Sequence, residues 1–281
     1  MATEGFASRQ LNTAVTGMSR LSHAGCRSSK WMRSADLHFH LLPGVDDGPA
    51  DLLESLELAR GAVAEGTEAV VATPHFRFDL GTVDAVDVVH RVCELRAHLA
   101  AFGVRLEIRC GAELGHDVVG SLSQYELQLL AQGPLEARWL LVEAPFEGFG
   151  ADFQAATTEL RERGFGVLVA HPERSADATL DGSEGLRCEL EAGSLAQVNA
   201  QSLTGEHGED ARAAAWHLID QDLVAAIASD AHGPGRPPAL QAARRALLEA
   251  GVPPARAGLL VGAGPCQLLQ RGIQTRAAVA A

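Results

Sequence analysis

The chain is short of aromatic residues, of basic charge, of paired cysteines and of long apolar runs, and each shortage narrows what it can be. Aromatics make up 5% of its 281 residues, and the abundant Ala, Gly, Leu and Val instead suit helices packed on buried strands. Lys and Arg total 23 against 36 Asp and Glu, a formal net charge of −13. That balance disfavours a nucleic-acid partner, because a phosphate backbone demands a basic surface. It leaves phosphate-bearing substrates open, since bound divalent cations can invert a local field. The five cysteines, Cys26, Cys93, Cys110, Cys188 and Cys266, include no C-x-x-C pair, which fits a reducing, cytoplasmic setting better than a disulfide framework. None stands six residues before an arginine, so a cysteine phosphatase's nucleophile loop is excluded. No apolar stretch approaches the roughly 20 residues that span a bilayer, so membrane insertion is not expected.

What is present reads as one folded unit with loose ends. Hydrophobic residues are 47% and charged residues 21% of the chain, ordinary values for a globular protein. Residues 1–35 differ in character: Arg20, Arg27, Lys30 and Arg33 are interleaved with Ser and Gly, and Glu4 is the one acid before Asp36. They lack the apolar core of a signal peptide and read as a disordered extension or an upstream start codon, with a short docking arm as the alternative. From Asp36 on, short apolar runs alternate with amphipathic stretches. Strands are expected at 36–40, 69–73, 105–111, 139–144, 166–171, 195–199 and 224–230. Helices are expected at 50–65, 83–101, 122–131, 151–163, 178–192, 209–221 and 238–250. Leu52, Leu53, Leu56, Ala59, Ala62 and Val63 form a stripe of helical period, and most helices stop near a glycine. Such alternation implies parallel strands joined by crossovers. About seven units suit an α/β barrel, and periodicity also allows an open doubly wound sheet. A single domain at 36–272 and a fraying tail at 273–281 complete the expectation.

The metal-capable side chains fall in a pattern. His38 and His40 lie on the first expected strand, with Asp46 and Asp47 in its loop. His75 follows the second strand, Glu113 the third, Glu143 ends the fourth, His171 closes the fifth, and Asp230 and His232 end the seventh. Any one alone has a duller explanation, a hydrogen-bonded histidine or a helix-capping acid. In a parallel barrel, however, all strand carboxyl ends open on one face. Carboxylates gathered there would be costly to bury unless cations neutralised them. Imidazole plus carboxylate suits Mn²⁺, Fe²⁺ or Zn²⁺, and the missing thiolates argue against a structural zinc.

The ordered strings Asp36-Leu-His-Phe-His40, Leu42-Pro-Gly-Val-Asp-Asp-Gly48, Thr73-Pro-His75, Gly111-Ala-Glu113, His171-Pro-Glu-Arg174, Ser229-Asp-Ala-His232 and Arg236-Pro-Pro238 resemble the polymerase-and-histidinol-phosphatase (PHP) superfamily. They are most similar to the manganese-dependent tyrosine phosphatases of bacterial capsule and exopolysaccharide systems. The resemblance spans 36–272 and implies a distorted (β/α)7, TIM-like barrel. It further implies three divalent cations, Mn²⁺ foremost and Fe²⁺ or Zn²⁺ as alternatives. His38, His40 and Asp230 would hold one, and Glu113 would bridge to a second shared with Glu143 and His171. Asp47, His75 and His232 would hold the third. Asp36 would orient a ligating histidine, and Arg174 and Arg236 would bind phosphoryl oxygens. The implied substrate is phosphotyrosine on the tail of a bacterial tyrosine autokinase. A small-molecule phosphatase of the histidinol-phosphate type and a non-catalytic metal-binding scaffold are the alternatives. His23, His90, His98, His116, His207 and His217 receive no role.

Overall fold

Apolar runs of four or five residues become the long strands of this protein, and each is followed by a segment that caps and winds into a helix. The computed structural model describes residues 34–80, 83–179 and 184–275. Its strands are β1 (Ala35–Phe39), β2 (Ala69–Ala72), β3 (His75–Phe76), β4 (Glu107–Cys110), β5 (Glu113–Leu114), β6 (Trp139–Glu143), β7 (Gly166–Ala170), β8 (Leu195–Asn199) and β9 (Val224–Ala228). They pair in parallel in the orders β1-β2-β4 and β3-β5-β6-β7-β8-β9.

Nine strands stand where the sequence suggests seven, because the second and third are each interrupted. Thr73-Pro74 separates β2 from β3, and proline has no N–H to extend a ladder. Gly111-Ala112 separates β4 from β5, where a Cβ on Gly111 would lie 2.5 Å from Val71 Cγ1. Hydrogen bonds run across both breaks: Gly111 N–H donates to the Ala72 carbonyl and Glu113 N–H to the Pro74 carbonyl, each at 3.0 Å. At the β1–β9 seam, Asp230 N–H donates to the His38 carbonyl at 3.0 Å and His40 N–H to the Ala231 carbonyl at 2.9 Å. The strand directions thus follow one another round a (β/α)7, TIM-like arrangement whose seam is bonded at its carboxyl end.

The helices are α1 (Leu52–Ala64), α2 (Ala85–Ala101), α3 (Gln124–Leu130), α4 (Ala151–Glu162), α5 (Glu184–Glu191), α6 (Ala200–Thr204), α7 (Glu209–Asp220), α8 (Leu240–Glu249), α9 (Pro254–Gly258) and α10 (Gly264–Arg271). Asp51, Asp84 and Ser123 accept from the first-turn N–H groups of α1, α2 and α3, which is why those helices begin where they do. Alternate strand residues serve two cores. Val70, Ile108, Leu140, Val142, Val167 and Val169 pack with Leu56, Val92, Phe153 and Leu247 from the helices. Leu37, Val71, Leu141 and Leu168 pack with Trp139, Cys266, Leu268, Leu269 and Ile273.

The carboxyl-terminal helices α9 and α10 are absent from the sequence expectation, because Gly258, Gly262, Gly264 and Pro265 obscure their period. Ile273, assigned to the fraying tail, is instead docked: it is buried, and its N–H donates to the Ala137 carbonyl at 3.1 Å. Residues 276–281 lie outside the described part. So do residues 1–33 of the expected extension; of its last two residues, Ser34 is half-buried and Ala35 is buried in β1. Among the described residues no helix is long and apolar enough to cross a membrane.

Candidate metal centre

The carboxyl ends of β1, β6, β7 and β9, with the first residues of the short β3 and β5 that continue β2 and β4, bring the nine residues expected as ligands to one mouth. Three overlapping groups form there: His38, His40, Glu113 and Asp230; His40, Asp47, His75 and His232; and His75, Glu113 and Glu143. His171 stands outside these groups but touches the last, its Nε2 2.7 Å from Glu113 Oε1. His171 and Asp230 hold left-handed backbone, φ 33° and 51°. Such strain in non-glycine residues persists where surrounding structure imposes it, commonly at functional sites.

Hydrogen bonds fix which ring nitrogens face inward. Asp46 Oδ2 lies 2.7 Å from His40 Nδ1, so that nitrogen carries the proton and Nε2 is left with a lone pair. On β8, the Gln197 amide N–H donates to Asn199 Oδ1 at 2.9 Å, and the Asn199 amide N–H donates to Asp230 Oδ2 at 2.8 Å. That chain orients Gln197 Oε1 to accept from His38 Nδ1 at 3.0 Å. The two Nε2 atoms then meet at 3.1 Å. Glu113 Oε2 lies 3.1 and 3.3 Å from them, and Asp230 Oδ1 lies 3.2 and 3.5 Å away. Two imidazole Nε2 atoms and two carboxylate oxygens aimed at one point become the donor set of a cation once the proton shared there is displaced. Among the described residues, buried His75 Nδ1, Glu113 Oε2, Asp230 Oδ1 and His232 Nε2 also lack hydrogen-bond partners, and residue types and geometry alike fit divalent metals.

The electrostatics point the same way. Burial works against a charged His38, yet Glu113 and Asp230 push it up to about 9. Burial likewise opposes a charged His75, which Glu113 and Asp47 push up to about 11. Burial raises Glu143, and neighbouring Glu113 raises it further. Glu113 itself is held well below the usual range by His38 and His75 in spite of its burial. Anionic oxygens this crowded demand positive charge, and protons on the imidazoles occupy the role that cations would take.

Asp36 departs from its expected part. Its buried carboxylate accepts from Ser229 N–H at 3.1 Å and His38 N–H at 3.3 Å, so it joins β1 to the end of β9 rather than orienting an imidazole ring. The expected arginines do reach the mouth: Arg236 Nη2 lies 2.5 Å and Arg174 Nη1 3.5 Å from Asp230 Oδ2. Several residues escaped the sequence reading. Gln197 and Asn199 were visible as two alternating polar residues at the end of an apolar strand. Arg77, whose Nη1 donates to Glu143 Oε2 at 2.9 Å, stood two residues beyond His75.

Comparison with known proteins agrees with this geometry. Residues 34–251 match the family model described as capsular polysaccharide synthesis, CpsB/CapC. The chain is 30% identical over 199 residues to the tyrosine-protein phosphatase YwqE of Bacillus subtilis, covering 70% of this chain and 76% of that relative. It is 31% identical, with the same coverage, to the putative tyrosine-protein phosphatase CapC of Staphylococcus aureus. In fold it is similar to a structure from work on YwqE and Streptococcus pneumoniae CpsB, described there as unique metal-dependent tyrosine phosphatases. The TM-score is 0.71 at 24% identity, covering 86% of this chain and 97% of the other. The chain belongs to the CpsB/CapC family of capsular polysaccharide synthesis.

Proposed function

We propose that this protein is a metal-dependent protein-tyrosine phosphatase, acting on a phosphotyrosine-bearing bacterial tyrosine kinase in the control of polysaccharide assembly. The observation that carries the reading is the convergence of three overlapping imidazole–carboxylate groups on one mouth. His38, His40, Glu113 and Asp230 would hold one cation, and Asp47, His75 and His232, with His40 at its edge, a second. Glu113, Glu143 and His171 would hold a third, beside His75. Mn²⁺ is the foremost candidate, with Fe²⁺ and Zn²⁺ as alternatives. Bound cations would supply hydroxide at neutral pH and neutralise charge on the phosphoryl group.

The chain's own residues do the rest. Asp46 and Gln197 hold the Nδ1 protons of His40 and His38, keeping both Nε2 lone pairs inward. Arg174 and Arg236 stand on the rim of the Asp230 carboxylate, where their planar forks can bind phosphoryl oxygens and orient the ester. A tyrosine leaving group, with pKa near about 10, departs without strong acid assistance.

The test is an activity screen of EDTA-stripped protein reloaded with Mn²⁺, Fe²⁺ or Zn²⁺, on phosphotyrosine peptides and on histidinol phosphate. Mn²⁺-restored hydrolysis of the peptides is expected. Preference for histidinol phosphate would reassign the substrate, and full metal loading without any turnover would favour a scaffold. Arg174→Ala should keep its metals and lose turnover by about a hundredfold or more, the scale of one transition-state donor; unchanged catalytic efficiency would remove Arg174 from the site.

A further inference from the structure

Beside the metal mouth lies a cavity of about 560 Å³, lined by Phe146, Glu173, Arg174, Ser175, His207 and Asp210, with Ala176 and Ala211 between them. Its size is that of a ligand site. Its wall is continuous with the metal centre. The Phe146 ring stacks parallel to His171 at 6.3 Å between centroids, and the Arg174 guanidinium lies 5.0 Å from the same ring. The wall is also braced: Ala176 N–H donates to the Phe146 carbonyl at 2.8 Å, and Phe149 N–H to Asp177 Oδ2 at 2.8 Å.

The polar atoms of this cavity are mostly acceptors. Buried Glu173 uses one carboxylate oxygen to accept from Asn199 N–H at 2.8 Å and from Ser202 Oγ–H at 2.7 Å. Its other oxygen, Oε2, and the buried Ser175 Oγ have no hydrogen-bond partner among the described residues. With the Ser202 proton committed to Glu173, the 2.9 Å contact between Ser202 Oγ and His207 Nδ1 requires that nitrogen to donate. His207 Nε2 is then a lone-pair acceptor. Burial and the nearby Arg174 push His207 down to about 4, so it stays neutral at physiological pH. Asp210 adds an exposed carboxylate. The one cation of the lining, Arg174, already leans on Asp230 at 3.5 Å.

We propose that this cavity is a second substrate subsite, which receives a residue flanking the phosphotyrosine and selects a side chain bearing N–H groups, basic or amide, over an acidic one. The proposal rests on the phosphatase reading given above. The metal mouth takes the phosphoryl group, Phe146 borders the path from it, and the acceptors of His207 and Asp210 take the neighbour's hydrogens above the buried Glu173. An acidic neighbour would meet mainly acceptors and negative charge, with only the Ser175 hydroxyl and an Arg174 already turned toward Asp230 to donate.

The test uses the full chain loaded with Mn²⁺ and phosphotyrosine peptides whose flanking residues on either side are Lys, Gln, Leu or Glu. Catalytic efficiency should rank Lys and Gln ahead of Leu, and Leu ahead of Glu. The spread from Lys to Glu should be about fivefold, the size that a partly exposed ion pair supports. Asp210→Lys should flatten or invert that order. Glu209→Lys, the same charge change one residue outside the lining, should retain it. Peptides handled within about twofold of one another, less than such a pair should give, would overturn the subsite. So would an order that Glu209→Lys flattens as much as Asp210→Lys does. The same peptides carrying phosphonodifluoromethyl-phenylalanine in place of phosphotyrosine, titrated by fluorescence polarisation, separate the two readings. Ranked binding without turnover of the phosphopeptides keeps the subsite and removes the phosphatase activity; turnover without ranking does the reverse. Neither turnover nor binding removes both.

Discussion

The two ends of the strand ring follow opposite rules. At the amino-terminal end Trp139, Cys266, Leu268, Leu269 and Ile273 pack into an apolar floor, and the indole N–H of Trp139 donates to the Leu268 carbonyl at 3.0 Å. These side chains are apolar apart from the Trp139 indole N–H, which is satisfied, as a stabilising core requires. At the carboxyl end, buried Glu113 lies next to buried Glu143, imidazoles crowd the same space, and two non-glycine residues hold left-handed backbone. Each of those features costs free energy on its own. The floor supplies stability and the mouth consumes it, a division expected when a site is arranged for ions and substrate rather than for itself.

Four experiments would break or sharpen that contrast. The largest effect belongs to Glu113→Gln, which removes the carboxylate common to two of the three groups. Turnover of a phosphotyrosine peptide should fall by about a thousandfold or more, since a catalytic metal contributes several kcal/mol, and metal analysis should show loss of bound Mn²⁺. Thermal unfolding in excess chelator should change little. Retained metal together with retained turnover would remove Glu113 from the centre. Next comes the floor: Trp139→Ala should cost about 3–5 kcal/mol of stability in denaturant titrations, while metal bound per folded molecule stays the same. A cost below about 1 kcal/mol would show that the floor is not the stabilising end.

Gln197→Leu is milder. It leaves His38 Nδ1 without its acceptor and breaks the chain to Asp230, so Mn²⁺ affinity should weaken by about 10–100-fold. Calorimetric titration giving wild-type affinity would assign that chain to packing alone. The remaining test is a pH slope. His38 and His75, pushed up to about 9 and about 11, hold protons at neutral pH that a cation must displace. Metal affinity should therefore rise with pH, by about tenfold per unit for each proton released. Affinity flat between pH 6 and 8, a range chosen as roughly two decades of proton activity around the ordinary imidazole value, would contradict the protonated cluster.

The mouth was legible in the sequence because its chemistry is carried by residue types that stand out against apolar strands. His38, His75, Glu113 and Asp230 each end or follow such a run, and strand polarity alone places them together. What the sequence withheld depends on contacts between distant positions. Gln197 meets His38 across 159 residues, and nothing in a local window marks a glutamine as the holder of an imidazole proton. Asp36 sits in the same motif as the histidines yet bonds backbone N–H groups, a choice set by where Ser229 arrives. The floor helices were hidden by their glycines, of which Gly264 is required because a Cβ there would lie 3.0 Å from the Ala225 carbonyl oxygen. His207 gained meaning only through Ser202 and Glu173, which fix its tautomer.

The bond between Asp36 and Ser229 joins positions 193 residues apart. During synthesis, which proceeds from the amino terminus, His38 and His40 leave the ribosome long before Asp230 and His232 exist to complete their surroundings. A growing chain therefore presents only a fragment of the imidazole–carboxylate cluster until its last quarter is made.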